Sequence, residues 1–186
     1  MKPRSRSRGP LTKAYLERAA LHYLERYDSS VEGLRRVLLR RVDKAAREER
    51  CDREEATVWV EEVLRRAVSA GLVDDRRFAE GRAASLRRRG ESARRIALKL
   101  RDKGVDGDLI AAALAEEDGE DDDAAEFAAA CRFARRRRLG PMREAGDRED
   151  RRDRDLAALA RAGFSLDVAR RVLDLEDAET LVDAAL

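Results

Sequence analysis

Aromatic residues make up only 4% of this 186-residue sequence. The interior must therefore be assembled from Leu, Val, Ala and Ile, which predicts a thin, distributed core rather than one built on large rings. Scarce rings also argue against base stacking as the main mode of any nucleic-acid binding. Proline occurs only at Pro3, Pro10 and Pro141, so almost nothing breaks helices in between. Cys51 and Cys131 stand far apart and form neither a CxxC nor a zinc-type spacing. The single histidine, His22, lies among helical apolar positions and reads as a packed or surface residue rather than a ligand. No apolar run approaches membrane-spanning length, and the basic start MKPRSRSRGP is not followed by the apolar region of a secretion signal. A cytoplasmic protein with reduced thiols is expected. There is no Walker-type phosphate loop and no nucleophile–base pair, so no catalytic residue, cofactor or metal site is expected and the chain does not read as an enzyme.

What the sequence has is charge. Charged residues amount to 43%, with 41 basic against 39 acidic and a net charge of only +2. Segregation of these charges therefore matters more than their sum. Only five of the 41 basic residues are Lys. Arg supplies planar, forked donors that suit phosphate and carboxylate, although a GC-rich genome gives the same bias without any binding role.

The rest of the composition favours helices over strands. Leu16, Ala20, Tyr23, Leu24 and Tyr27 share one helical face, and Val31, Leu34, Leu38 and Val42 share the next. A third helix follows Asp52, through Val60, Val63, Leu64 and Ala67, with Gly71 at its end. Shorter periodic stretches follow Asp74-Asp75, Ser92 and Asp106. The block EEDGEDDD, residues 116–123, carries seven acids in eight residues and reads as a solvated linker plus the acid-rich first turn of the next helix. The segment from Arg143 to Asp155 is charged all round, and an apolar face returns only at Leu156.

Two segments repeat at an offset of 59 residues. LRDKGVDGDLIAAAL from Leu100 aligns with LARAGFSLDVARRVL from Leu159, pairing Gly104 with Gly163, Val105 with Phe164 and Asp108 with Asp167. Each is a helix, a Gly-terminated turn, an apolar plug and a second helix, as in helix-turn-helix pairs. In the first third of the chain LLRRVDKAA replaces the Lys-Gly turn, so that helix reads as running on. The expected fold is all-α, with three tandem three-helix repeats in an elongated, curved arrangement. The expected divisions are a basic disordered arm over 1–10, repeats over 11–73, 74–118 and 119–175, the last starting with the acidic linker, and a tail over 176–186 that adds a turn or frays. A curved array offers a binding face, not a catalytic pocket.

The stretch AGLVDDRRFAEG, residues 70–81, tests that view. Its adjacent carboxylates resemble a metal or acid/base pair. Side chains next to each other at a helix start diverge by about 100° around the axis, so one caps backbone N–H groups while the other meets a helix dipole. Asp75 is the expected cap, and Phe78 the anchor of the second repeat.

Basic clusters recur once per repeat. Arg87, Arg88, Arg89, Arg94, Arg95 and Lys99 are the leading candidates for a partner-binding face, followed by Arg35, Arg36, Arg40 and Arg41. A further run covers Arg135 to Arg138. Cations near helix C-termini are also favoured without any partner.

The motif order resembles the RecX family. Gly71, Leu72, Val73, Asp74, Asp75, Arg77, Phe78 and Ala79 match its Gly-Leu-[Ile/Val]-Asp-Asp-x-Arg-Phe-Ala block. Arg161, Gly163, Phe164 and Ser165 look like its carboxy-terminal Arg-x-Gly-Phe-Ser block. The resemblance implies a non-enzymatic regulator of the RecA recombinase, a monomer lying in the groove of the RecA–DNA filament. It implies inhibition of ATPase, strand exchange and coprotease activity in recombination, DNA repair and the SOS response, with at most weak contact to DNA and none to a membrane. The rival readings are a non-specific DNA-binding protein of helix-turn-helix-like repeats acting without RecA, and an adaptor whose charges only keep it soluble.

Overall fold

The computed structural model describes residues 9–185. They form ten α-helices and one 3-10 turn, with no strand among the described residues. The chain divides into two compact units, one ending at Phe78 and one beginning at Ala79. The basic arm expected over residues 1–10 lies, up to residue 8, outside the described residues.

The first unit contains α1 (Lys13–Leu24), α2 (Val31–Arg47) and α3 (Arg53–Ser69). Thr12, Ser30 and Asp52 cap them, each side-chain oxygen accepting a backbone N–H three residues on. Their apolar faces meet in a core that holds Leu16 and Ala20 from α1, Leu34, Leu38 and Val42 from α2, and Val60, Val63 and Leu64 from α3. Tyr27, expected on the apolar face of α1, is instead exposed beside Tyr23. Helix α2 does not run on as the sequence suggests. It ends in a turn in which Glu49 takes φ +53° and the Arg50 N–H donates to the Ala45 carbonyl at 2.9 Å. A non-glycine residue thus performs the left-handed turn that Gly104 and Gly163 perform later, and this hides the motif from a sequence pattern built on glycine.

The Asp74-Asp75 pair belongs to this unit. Asp74, not Asp75, caps the next helix, accepting the Arg77 N–H at 3.1 Å. Asp75 turns the other way and accepts the Val31 N–H at 2.8 Å, at the first turn of α2. Both carboxylates thus satisfy helix-start N–H groups, but they serve different helices. Val73 is buried, whereas Leu72 is exposed.

Helix α4 (Asp75–Arg88) spans the boundary between the units. The second unit continues with α5 (Ala93–Asp102), α6 (Gly107–Asp118), α7 (Asp122–Arg137), a 3-10 turn at Gly140–Met142, α8 (Ala145–Arg161), α9 (Leu166–Leu173) and α10 (Ala178–Asp183). The 59-residue repeat is visible in single hydrogen bonds. Val105 N–H donates to Leu100 C=O, and Phe164 N–H donates to Leu159 C=O, each at 3.2 Å. The α7–α10 core gathers Phe133, Leu139, Leu159, Phe164, Val172 and Leu181, with the two phenylalanine rings edge-on at 5.8 Å. The stretch expected as a loose tail is part of this core: Asp177 caps α10, and Leu181 is fully buried.

The charged segment before Leu156 is also anchored. Asp155 is only 2% exposed, accepting the Gly140 N–H at 2.8 Å and a forked pair of bonds from Arg143 at 2.7 and 2.8 Å. Burial acts against its charge, but Arg143 and the Gly140 N–H outweigh that and hold the carboxyl below its ordinary pKa.

Candidate interaction surface

The arginine clusters separate into structural and free groups. Arg87, first among the sequence candidates, is 3% exposed and leaves the candidate surface. Its guanidinium donates two bonds to Asp118, at 2.7 and 2.6 Å, and others to Glu126 and the Glu91 carbonyl. Burial opposes the Arg87 charge, but the bonds to Asp118 and Glu126 more than offset it and raise the pKa. Asp118 therefore does not belong to a solvated linker. It lies at the end of α6 and anchors α4, while Glu126 also accepts the Ala93 N–H and ties α7 to the start of α5.

Arg35 and Arg36 are occupied as well. Arg35 makes a forked contact with Glu61 at 2.9 Å and a second with Glu32, and Arg36 shares Glu32. Arg40 is exposed, and Arg41 is half-buried. Arg88 and Arg89 are exposed at the end of α4, where the Arg89 carbonyl accepts a bond from Arg136. Arg95 and Lys99 share Glu91, at 3.1 and 2.8 Å.

The exposed cations that do converge lie where α5, α7 and α8 meet. Arg95, Arg137 and Arg161 line a cleft of about 340 Å³ with Phe133 and Leu139. Arg94, Arg95 and Arg161 line a neighbouring cleft of about 420 Å³ with Leu98. No carboxylate lines either cleft. Arg137 and Arg161 end their helices, where the dipole favours a cation. Arg94 and Arg95 are different. They stand in the first turn of α5, which has no acid, and there the dipole disfavours positive charge. For Arg95 the carboxylate of Glu91, just before the Ser92 cap, offsets this at 3.1 Å. Leu98 is 55% exposed and lies one turn beyond Arg94, so an apolar contact accompanies the charges.

The joint beneath these arginines is rigid. Ser92 caps α5 through the Arg95 N–H, and its hydroxyl donates to the Ala162 carbonyl at 2.7 Å. Gly163, at φ +99°, comes so close that a Cβ there would lie 2.5 Å from the Ser92 hydroxyl. Sequence reasoning identifies Arg94 and Arg95 but does not join them to Arg137 and Arg161. The usable signal is the repeat itself, because Arg161 sits two residues before the turn glycine of the 59-residue motif.

Chemistry elsewhere is sparse. Burial pushes the Cys131 thiol up to about 11, which leaves it protonated and unreactive. No group of three or more His, Cys, Asp or Glu side chains suited to a metal occurs among the described residues. None of their helices is long and apolar enough to cross a membrane.

Residues 74–114 match the model for the second three-helix domain of RecX. Regulatory protein RecX of Myxococcus xanthus is 45% identical over 179 residues, covering 92% of this chain and 93% of that one. This chain belongs to the RecX family. Regulatory protein RecX of Agrobacterium fabrum is 36% identical over 115 residues, covering 61% of this chain and 59% of its relative. Among solved structures, a crystal structure of regulatory protein RecX aligns with a TM-score of 0.61 at 20% identity, covering 88% of this chain and 72% of that one. RecX from Lactobacillus salivarius aligns with a TM-score of 0.57 at 16% identity, covering 93% and 96%. Those two likenesses establish the fold of this RecX-family member.

Proposed function

We propose that this RecX-family protein regulates RecA by binding in the groove of the RecA–DNA filament and inhibiting its ATPase, strand-exchange and coprotease activities. The setting is recombination, DNA repair and the SOS response in the cytoplasm. Membership of the RecX family, at 45% identity over 92% of the chain, carries this reading. The carboxylate-free clefts at Arg94, Arg95, Arg137 and Arg161 supply its polar contact, with Arg88, Arg89, Arg40 and Arg41 as further exposed or half-buried cations. Forked guanidinium groups grip carboxylates or phosphates, and the filament presents both.

The test is RecA ATPase activity on single-stranded DNA with stoichiometric protein. Inhibition is expected, and no effect would sink the reading. Charge reversal by Arg94→Glu with Arg161→Glu should raise the protein needed for half-inhibition by about tenfold or more. Tight, steeply salt-dependent binding to naked DNA without any effect on RecA would favour the non-specific DNA-binding alternative.

A further inference from the structure

A second cationic cavity lies in the first unit, far along the chain from the clefts above. It encloses about 620 Å³ and is lined by Arg18, Arg41, Lys44 and Arg50, with the Tyr15 ring at its wall and no carboxylate in the lining. That volume falls within the range of small-ligand sites. Three segments bring these cations together: the first turns of α1, the last turns of α2 and the non-helical turn before α3. The entrance of α1 has no acid in its first turn, so the positive end of that helix adds to the same field.

The cations differ in their engagement. Arg50 is fixed by Glu48 at 2.7 Å and by the Gly9 carbonyl at 3.1 Å. Arg41 is the informative one. Its Nε–H is sealed from solvent and has no acceptor within hydrogen-bonding distance among the described residues. Burying a donor without an acceptor is costly, so Arg41 is kept beside the cavity, which it lines, against a local penalty. Three other arginines of α2 contrast with it: Arg35, Arg36 and Arg47 donate to carboxylates or carbonyls of the chain. Tyr15 is 44% exposed, so a ring face is available beside the cations.

We propose that this cavity is a nucleic-acid site: it holds one backbone phosphate of a single strand on Arg18, Arg41 and Lys44, and the Tyr15 ring flanks the neighbouring base. Cations that track phosphates beside an aromatic platform are how single strands are held without sequence preference. A guanidinium fork and an ammonium together satisfy a phosphate from different directions. The proposal goes beyond the proposed function, and its test contains no RecA, so the two can fail separately.

The experiment is fluorescence anisotropy of the full chain with a labelled oligothymidylate of about 20 nucleotides. Arg18→Gln with Lys44→Gln should weaken binding by about tenfold and lower the salt slope by about 0.7 for each phosphate that is no longer neutralised. A charge-matched control, Arg26→Gln with Arg53→Gln, removes two exposed cations outside the cavity and should leave binding near the parent value. Tyr15→Leu should weaken binding by about fivefold or more. Thymidine monophosphate and inorganic phosphate should compete only at far higher concentration than the oligonucleotide, because they present one phosphate without a continuing strand. Equal weakening by both double variants would overturn the site, as would unchanged binding of the cavity variant. Efficient competition by inorganic phosphate would assign a free-anion site instead, and preferential displacement by polyglutamate an acidic-protein site, and either overturns the proposal. Should the double variant melt early, Arg18→Gln alone, at an exposed position, carries the same test.

Discussion

In the unit ending at Phe78 the buried polar residues are Ser29 and Ser30, beside the start of α2. In the unit beginning at Ala79 they are Arg87, Ser92 and Asp155. The first unit keeps its ion pairs at the surface, as with Arg35 and Glu61, whose side chains are 34% and 45% exposed. The second seals Arg87 and Asp118 at 4% and 6%. Three long helices with continuous apolar stripes close a core without such help. The helices of the second unit are mostly shorter, and several of its joints are clamped by charge: α4 to α6 through Arg87–Asp118, and the 3-10 turn to α8 through Arg143–Asp155. Buried charge that is fully paired adds little net stability over an apolar filling, but it makes the loss of one partner expensive.

That contrast is breakable. Arg87→Ala should cost about 3–5 kcal/mol, because the Asp118 carboxylate stays buried, and Glu126 half-buried, without their cation. Arg35→Ala should cost at most about 1 kcal/mol, since its partners regain water. Urea unfolding of the two variants measures the difference, and equal costs would erase the distinction between the units. Leu38→Ala and Leu159→Ala, one in each core and both fully buried, should each cost about 2–5 kcal/mol. Similar values there would show that the units differ in their polar clamps and not in packing.

Asp155 sharpens the comparison through pH. Its folded pKa lies below the ordinary value, so its contribution is fully present above the unfolded pKa, near pH 4, and is lost as pH falls through the folded pKa. Stability measured from about pH 6 down to pH 2 should therefore fall more steeply in the parent than in Asp155→Asn, which cannot titrate there. A parallel fall would remove Asp155 from the account.

The joint at Asp74-Asp75 gives a smaller effect. Each change to Ala should cost about 0.5–2 kcal/mol, Asp74→Ala through α4 and Asp75→Ala through the start of α2. Hydrogen exchange at Val31 should rise only in Asp75→Ala, since only that variant frees the Val31 N–H. Smallest is a gain: Glu49→Gly should stabilise by about 0.5–1 kcal/mol by relieving its left-handed backbone. Thermal unfolding reads this, and a loss would mean that the Glu49 side chain has a compensating role.

Much of the fold is legible in the sequence because its signals are local. Spacing ahead of apolar stripes marks Asp52, Ser92 and Asp106 as helix starts, and each caps a helix. Leu34, Leu38 and Val42 share a face by periodicity alone, and all three are buried. The surface is less legible. Arg87, Arg88 and Arg89 are adjacent and chemically identical in sequence, yet the first is buried and the other two are exposed. Which one turns inward depends on the phase of α4 against Asp118, 31 residues further on, and no local pattern encodes it. Leu181 escapes a sequence reading for a related reason, because six residues of helix carry too little periodicity to predict and become ordered by docking on α7 and its neighbours.

Sequence alone is enough for an all-helical chain, the two glycine turns of the 59-residue repeat and the family resemblance. Capping, periodicity and composition act within a few residues, so they survive reading in one dimension. Helix packing sets which arginines are buried and which stay exposed, sends Asp74 and Asp75 to different helices, and brings Arg94, Arg95, Arg137 and Arg161 into one region. Those outcomes rest on long-range pairing and desolvation, which depend on what lies opposite each side chain once the helices have packed.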